Sequence, residues 1–152
     1  MATESKSVRV PTAAGLLGGF GVVPFLGLAA SLPFLKNEPK LMIAHALVAY
    51  GATILSFLGG VHWGLAIAGT GVDASRNLTA RLVLSVLPPL AGWVSLLLSA
   101  SHGLVMLSAA IAMMLWVDVR AARIGEAPPW YPKLRVPLTC AVVAALFLGG
   151  MV

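Results

Sequence analysis

The chain has 152 residues, 59% hydrophobic and 10% charged, with a mean hydropathy of +0.96. A soluble domain carries about 25% charged residues. This chain cannot cover a water-facing surface and reads as an integral membrane protein with room for one domain. Its net charge of +5 is no nucleic-acid signal, because the basic residues punctuate apolar runs and form no extended surface to neutralise phosphates.

A polar tail, residues 1–11, precedes the apolar part, residues 12–152, which is expected to be a single transmembrane domain. A spanning helix needs about 20 mostly apolar residues, and five such stretches follow. The first is Thr12 to Leu35, interrupted by Pro24 and Pro33. Lys6 and Arg9 resemble the start of a signal peptide, but the apolar run behind them exceeds the roughly 7–15 residues of a cleavable one, so an uncleaved helix is expected. The second stretch is Leu41 to Ala68. The third is Arg81 to Ser99, with Pro88 and Pro89 near its middle. The fourth is Gly103 to Ala122 and the fifth Val136 to Met151. The predicted fold is all-α, a polytopic five-helix transmembrane bundle, with kinks at Pro24, Pro88 and Pro89. The lone cysteine, Cys140, falls in the fifth stretch. It excludes an internal disulfide and any cysteine-built zinc or iron–sulfur site.

Cationic residues set orientation. Lys6, Arg9, Arg76, Arg81, Arg120, Arg123, Lys133 and Arg135 fall on one side, against Lys36 and Lys40 on the other. The N-terminus is therefore expected inside and the C-terminus outside. The longest loop, "RIGEAPPWYPKLRVP", runs from Arg123 to Pro137; Gly125 suits a helix C-terminal stop. Trp130, Tyr131, Lys133 and Arg135, with Trp116 at similar depth, read as an interfacial anchor.

The second stretch contains "SFLGGVHWGLA". Gly60 and Gly64 are four apart and share a helix face, the small-xxx-small spacing that lets backbones approach. With Gly59 they lie toward the inner side, as do Gly18 and Gly19 of the first helix. Close packing of the first two helices is expected there. His62 is different, because intramembrane ionisable groups face the bundle interior or a cavity and a buried ring N–H needs a partner. Asp118 lies at a similar depth, and Arg120, Arg81 and Ser85 could extend a network. The readings are a polar clamp between helices, a ligand, proton or quinone site, or a metal or haem ligand. Trp63 projects about 100° from His62 and fills space between helices or reaches the interface.

Depth allows only His45 with His102 as a haem pair, and both read better as interfacial histidines; no cofactor or metal site is predicted. Glu4, Glu38, Asp73 and Glu126 lie in the tail or in loops, which leaves Asp118 as the acid near a span. No H-E-x-x-H, phosphate-binding glycine loop or G-x-S-x-G occurs. The sequence leans away from an enzyme.

Three segments carry a resemblance: "AYGATILSFLGGVHWGLA" (Ala49–Ala66), "SVLPPLAGW" (Ser85–Trp93) and "PPWYPKLRVPLT" (Pro128–Thr139). The chain resembles, over nearly its whole length, a family of small bacterial inner-membrane proteins of unknown function related to the animal transmembrane protein 69. The resemblance implies a five-helix bundle in a bacterial inner membrane, or a mitochondrial one in a eukaryote. It implies no reaction. The motif positions it carries over are Gly59, Gly60, His62, Trp63, Gly64, Pro88, Trp130, Tyr131 and Arg135.

Three functions remain. The first is an accessory or assembly subunit of a larger respiratory or photosynthetic membrane complex, with other integral membrane chains as partners. The second is a small-ligand, quinone or proton-handling protein using His62 and Asp118 at an inner-face pocket. The third is a minimal homo-oligomeric transporter.

Overall fold

A computed structural model describes residues 9–69 and 78–151. Lys6, Arg76, Glu4 and Asp73, used above for orientation and for the count of acids, lie outside the described residues. The chain forms α1 (Thr12–Ser31), a 3₁₀ turn (Leu32–Phe34), α2 (Asn37–Ala68), α3 (Leu78–Leu97), α4 (Ala100–Arg123) and α5 (Tyr131–Met151). All five α-helices are long and apolar enough to cross a membrane. The protein is a multi-pass membrane protein in contact with the bilayer.

The helix ends differ from the sequence expectation for local reasons. Pro33 has no N–H with which to continue the ladder, so α1 stops at Ser31 and the Leu35 N–H closes a 3₁₀ turn onto Leu32. α2 begins at Asn37, four residues early. Pro39 sits in its first turn, where no donor is needed, and Glu38 complements the helix dipole. α5 begins at Tyr131 rather than Val136. Pro132, at its second position, is likewise tolerated. "WYPKLRVP" is therefore mostly helix, not loop. Its connection from α4 is a Schellman stop. Gly125 takes φ +80°, Glu126 N–H donates to the Ala121 carbonyl at 2.8 Å, and Gly125 N–H donates to Ala122 at 3.3 Å.

α2, at 32 residues, is about 48 Å long and outreaches the roughly 30 Å hydrocarbon core. It runs beside α3 and also touches α4, α1 and α5. α4 packs along α5, and α1 leans chiefly on α5. The core lies where these helices meet: Phe25, Leu47, Leu55, Leu104, Leu107, Ile111 and Leu146 are all buried. Phe20, Phe57, Trp93 and Phe147 point outward. In lipid that exposure carries no hydrophobic cost, and association rests on close packing and hydrogen bonds.

The closest packing corrects the glycine expectation. A Cβ at Gly60 or Gly64 would meet nothing within 4 Å, nor would one at Gly19. The tight contact is at Gly59, and it faces α3 rather than α1. Pro89 cannot donate to the Ser85 carbonyl, which is left free. A Cβ at Gly59 would lie 2.6 Å from that oxygen and 2.6 Å from Pro89 Cδ. Only glycine lets α2 reach this point. Gly18 is also tight, but against Leu138 of α5. The α1–α2 contact is made instead by Tyr50, whose hydroxyl donates to the Gly21 carbonyl at 2.9 Å while its ring tilts on Phe25 at 4.8 Å. Pro24, Pro88 and Pro89 lie inside continuous helices.

Candidate functional site

His62 lies six residues before the end of α2, Asp118 five before the end of α4, and Arg135 four after the start of α5. Three antiparallel or parallel helices thus present polar side chains at one depth, one to two turns from the same end of the bundle. Asp118 is fully buried. His62 Nε2 meets its Oδ1 at 2.8 Å, and Arg135 Nε donates to its Oδ2 at 2.6 Å. A carboxylate only accepts, so Nε2 carries the shared proton. That tautomer leaves His62 Nδ1 as the ring's acceptor. The Tyr131 phenol is the third polar group facing Asp118.

The surroundings explain the geometry. Tyr131, Arg135 and Thr139 are spaced by four, so they form one face of α5. That face turns toward α4, and Arg135 and Thr139 are both buried. Burying a guanidinium and a carboxylate is tolerable only when they pair, and the 2.6 Å contact pairs them. The pairing is incomplete on the arginine side: Arg135 Nη2 is buried without a hydrogen-bond partner, as is Thr139 Oγ1.

Arg135 was expected among the interfacial anchors, and here the structure differs. It is drawn inward because α5 starts five residues earlier, which turns residue 135 onto the α4-facing side. Lys133 is exposed, Trp116 is exposed, and Trp130 is half-buried with its ring edge-on to Tyr131 at 6.0 Å. Trp63 is 45% exposed and faces outward. Ser85 does not join the network; its hydroxyl donates back to the Leu82 carbonyl at 2.7 Å. The histidines weighed as haem ligands are engaged locally. His45 Nδ1 pairs with the Leu41 carbonyl at 2.9 Å, and His102 Nδ1 with the Ser99 hydroxyl at 2.7 Å.

Arg81 and Arg120 line a cavity of about 410 Å³ with His62, Trp116 and Glu126, between α2, α3 and α4. Arg81 donates to the Leu65 carbonyl at 3.0 Å and pairs with Glu126 at 3.5 Å. Arg120 lies over the Trp116 ring at 5.8 Å, a cation–π arrangement. Two guanidinium groups against one carboxylate leave the cavity net positive. His62 forms its inner wall, so the imidazole stands between the cavity and the buried Asp118–Arg135 pair. Chemically this arrangement can hold an anionic or hydrogen-bonding group, with the Arg81 and Arg120 guanidinium groups as donors and His62 Nδ1 as an acceptor. The sequence reading missed Tyr131 and Glu126 as members of the site; the four-residue spacing on α5 was the available signal for Tyr131.

Residues 10–151 match a family described as a protein of unknown function, DUF3429. The chain is 35% identical over 139 residues to transmembrane protein 69 of Xenopus tropicalis, a match covering 84% of this chain and 53% of that protein. It thus spans about half the length of that curated relative. No solved structure matches.

Proposed function

The chain belongs to the DUF3429 family, and for this member we propose a membrane-embedded ligand-binding function centred on the cavity at His62. One observation carries the reading: a net-positive cavity of about 410 Å³ ends on an imidazole that is itself bonded to a buried carboxylate. A polar network that served only to clamp helices would be sealed by packing. Here His62 retains 13% exposure and lines the cavity. The ligand is a small molecule or lipid headgroup bearing an anionic or hydrogen-bonding group. Arg81 and Arg120 attract it and His62 reads its protons. The orientation proposed is N-terminus inside, in a bacterial inner membrane or a mitochondrial one, which puts this cavity at the inner face.

The accessory-subunit reading rests on the scarcity of catalytic groups and the broad apolar outer faces. It expects a sealed His62, so the cavity weighs against it. A homo-oligomeric transporter needs polar lining that continues past Pro88 and Pro89 toward the outer end, where α3 presents the exposed apolar side chains of Leu90, Val94 and Leu97.

The test is native mass spectrometry of the tagged protein purified in mild detergent, beside Arg81→Ala and Arg120→Ala. The expected result is a retained small ligand whose occupancy falls at least fivefold in both variants. Stoichiometric co-purification with a larger membrane complex, and no ligand at His62, would return the protein to the subunit reading.

A further inference from the structure

A second cavity, of about 360 Å³, lies between α1, α2 and α5. It shares no lining residue with the first. Its walls are almost wholly apolar, among them Val22, Phe25, Ile54, Leu138 and Val142. Trp130, Tyr131 and Arg135 close one end. From Tyr131 to Val142 the wall rises roughly 16 Å along α5. The cavity therefore runs from the headgroup level toward the bilayer middle. Leu17 and Phe57 on its rim are 73% and 65% exposed, so it opens sideways to lipid.

The polar end is unfinished. Arg135 is 9% exposed and its Nε is spent on Asp118, but Nη2 is buried with no acceptor. A buried N–H of this kind is costly to leave unmade. Charge decides what completes it. Asp118 already neutralises Arg135 at 2.6 Å, so a second anion would leave an uncompensated charge in a desolvated place. An uncharged acceptor adds none.

We propose that this cavity binds an uncharged, carbonyl-headed, apolar-tailed molecule. Its carbonyl oxygen accepts from Arg135 Nη2, and its tail lies between α1 and α5. Membranes offer this chemistry in two forms, a quinone on an alkyl tail and an ester-linked acyl chain. The site stands apart from the His62 cavity, and either can fail without the other.

The test uses the full chain with Trp63, Trp93 and Trp116 replaced by phenylalanine. All three are exposed, and Trp130, which lines the cavity, remains the sole indole. The protein is reconstituted in diether phospholipid, which contains no carbonyl. Decyl-benzoquinone, dibrominated methyl stearate and dibrominated stearate are then titrated as quenchers of Trp130. Gly21→Leu serves as a plug: Gly21 lines the cavity, and a Cβ there meets nothing within 4 Å. Ala14→Leu on the same wall is a second plug, in case the first fails to fold.

The expected result is saturable quenching by one of the two carbonyl probes, weakened at least fivefold by a plug. Whichever probe saturates names the source. Linear quenching by both, or saturation untouched by the plugs, would reduce the cavity to ordinary lipid contact and overturn the proposal. Tighter binding of the carboxylate than of its methyl ester would overturn the uncharged head.

Discussion

His62 and Asp118 are joined by a 2.8 Å hydrogen bond although 56 residues separate them in the chain. The bond ties α2 to α4, and Arg135 ties the same carboxylate to α5. One buried acid thereby fixes the relative depth of three helices. In a bilayer, where apolar side chains gain little by leaving lipid for protein, such polar contacts and close backbone approach set register. Asp118 lines neither cavity, but its two hydrogen-bond partners do: His62 lines one, and Arg135, with Tyr131, lines the other.

Asp118→Asn is expected to be the most damaging single change in the bundle. It leaves the Arg135 guanidinium buried without a counter-charge, a loss of about 3–5 kcal/mol where a buried pair is broken from one side. Thermal unfolding in detergent measures it. The double variant Asp118→Leu with Arg135→Leu removes both charges and should recover most of the loss. A single variant as stable as the parent would mean that the pair does not hold the helices.

His62→Ala should cost less, about 1–2 kcal/mol, because Asp118 keeps its arginine and loses only one hydrogen bond. A double-mutant cycle of His62→Ala with Asp118→Leu, which removes the acceptor, should show coupling of at least about 0.5 kcal/mol. Strict additivity would mean that the 2.8 Å contact contributes nothing to stability.

Gly59 and Gly60 are neighbours with opposite expectations. Gly59→Ala puts a methyl 2.6 Å from the Ser85 carbonyl and Pro89, and backbone cannot yield as a flexible side chain does. A loss of about 1–3 kcal/mol is expected. Gly60→Ala meets nothing within 4 Å and should be neutral or slightly stabilising through helix propensity. Paired melting curves check both. Equal effects would contradict the assignment of the α2–α3 contact to Gly59.

Much of this was legible in the sequence, and the boundary of what was legible is physical. Span count follows from composition over some 20 residues, which local context hardly alters. The shared depth of His62 and Asp118 follows from counting along helices. Which glycine makes contact does not follow from spacing, because Gly60–Gly64 and Gly59 differ by one residue, about 100° of rotation. The partner face depended on a carbonyl freed by Pro89 on another helix. Arg135 was read by the rule for arginines beside a Trp-Tyr pair, which presumes a loop. Once α5 starts at Tyr131, the same residue falls in step with Tyr131 and Thr139 and turns inward.

That inward turn also changes the charge count on which orientation rests. Arg135 is buried and paired, so it no longer acts as a topology determinant. Among the described residues, Arg9, Arg81, Arg120, Arg123 and Lys133 remain at one end of the bundle, against Lys36 and Lys40 at the other. The bias keeps its sign, so the orientation proposed above, with the α4–α5 connection inside, remains the expectation to be tested. In a Cys140→Ser background, cysteines replacing Glu38 and Pro128 report the two ends, since both residues are exposed. In right-side-out vesicles, a membrane-impermeant maleimide should label Glu38→Cys at once and Pro128→Cys only after permeabilisation. The reverse pattern would invert the protein and move the His62 cavity to the outer face, where its ligand would have to be sought instead.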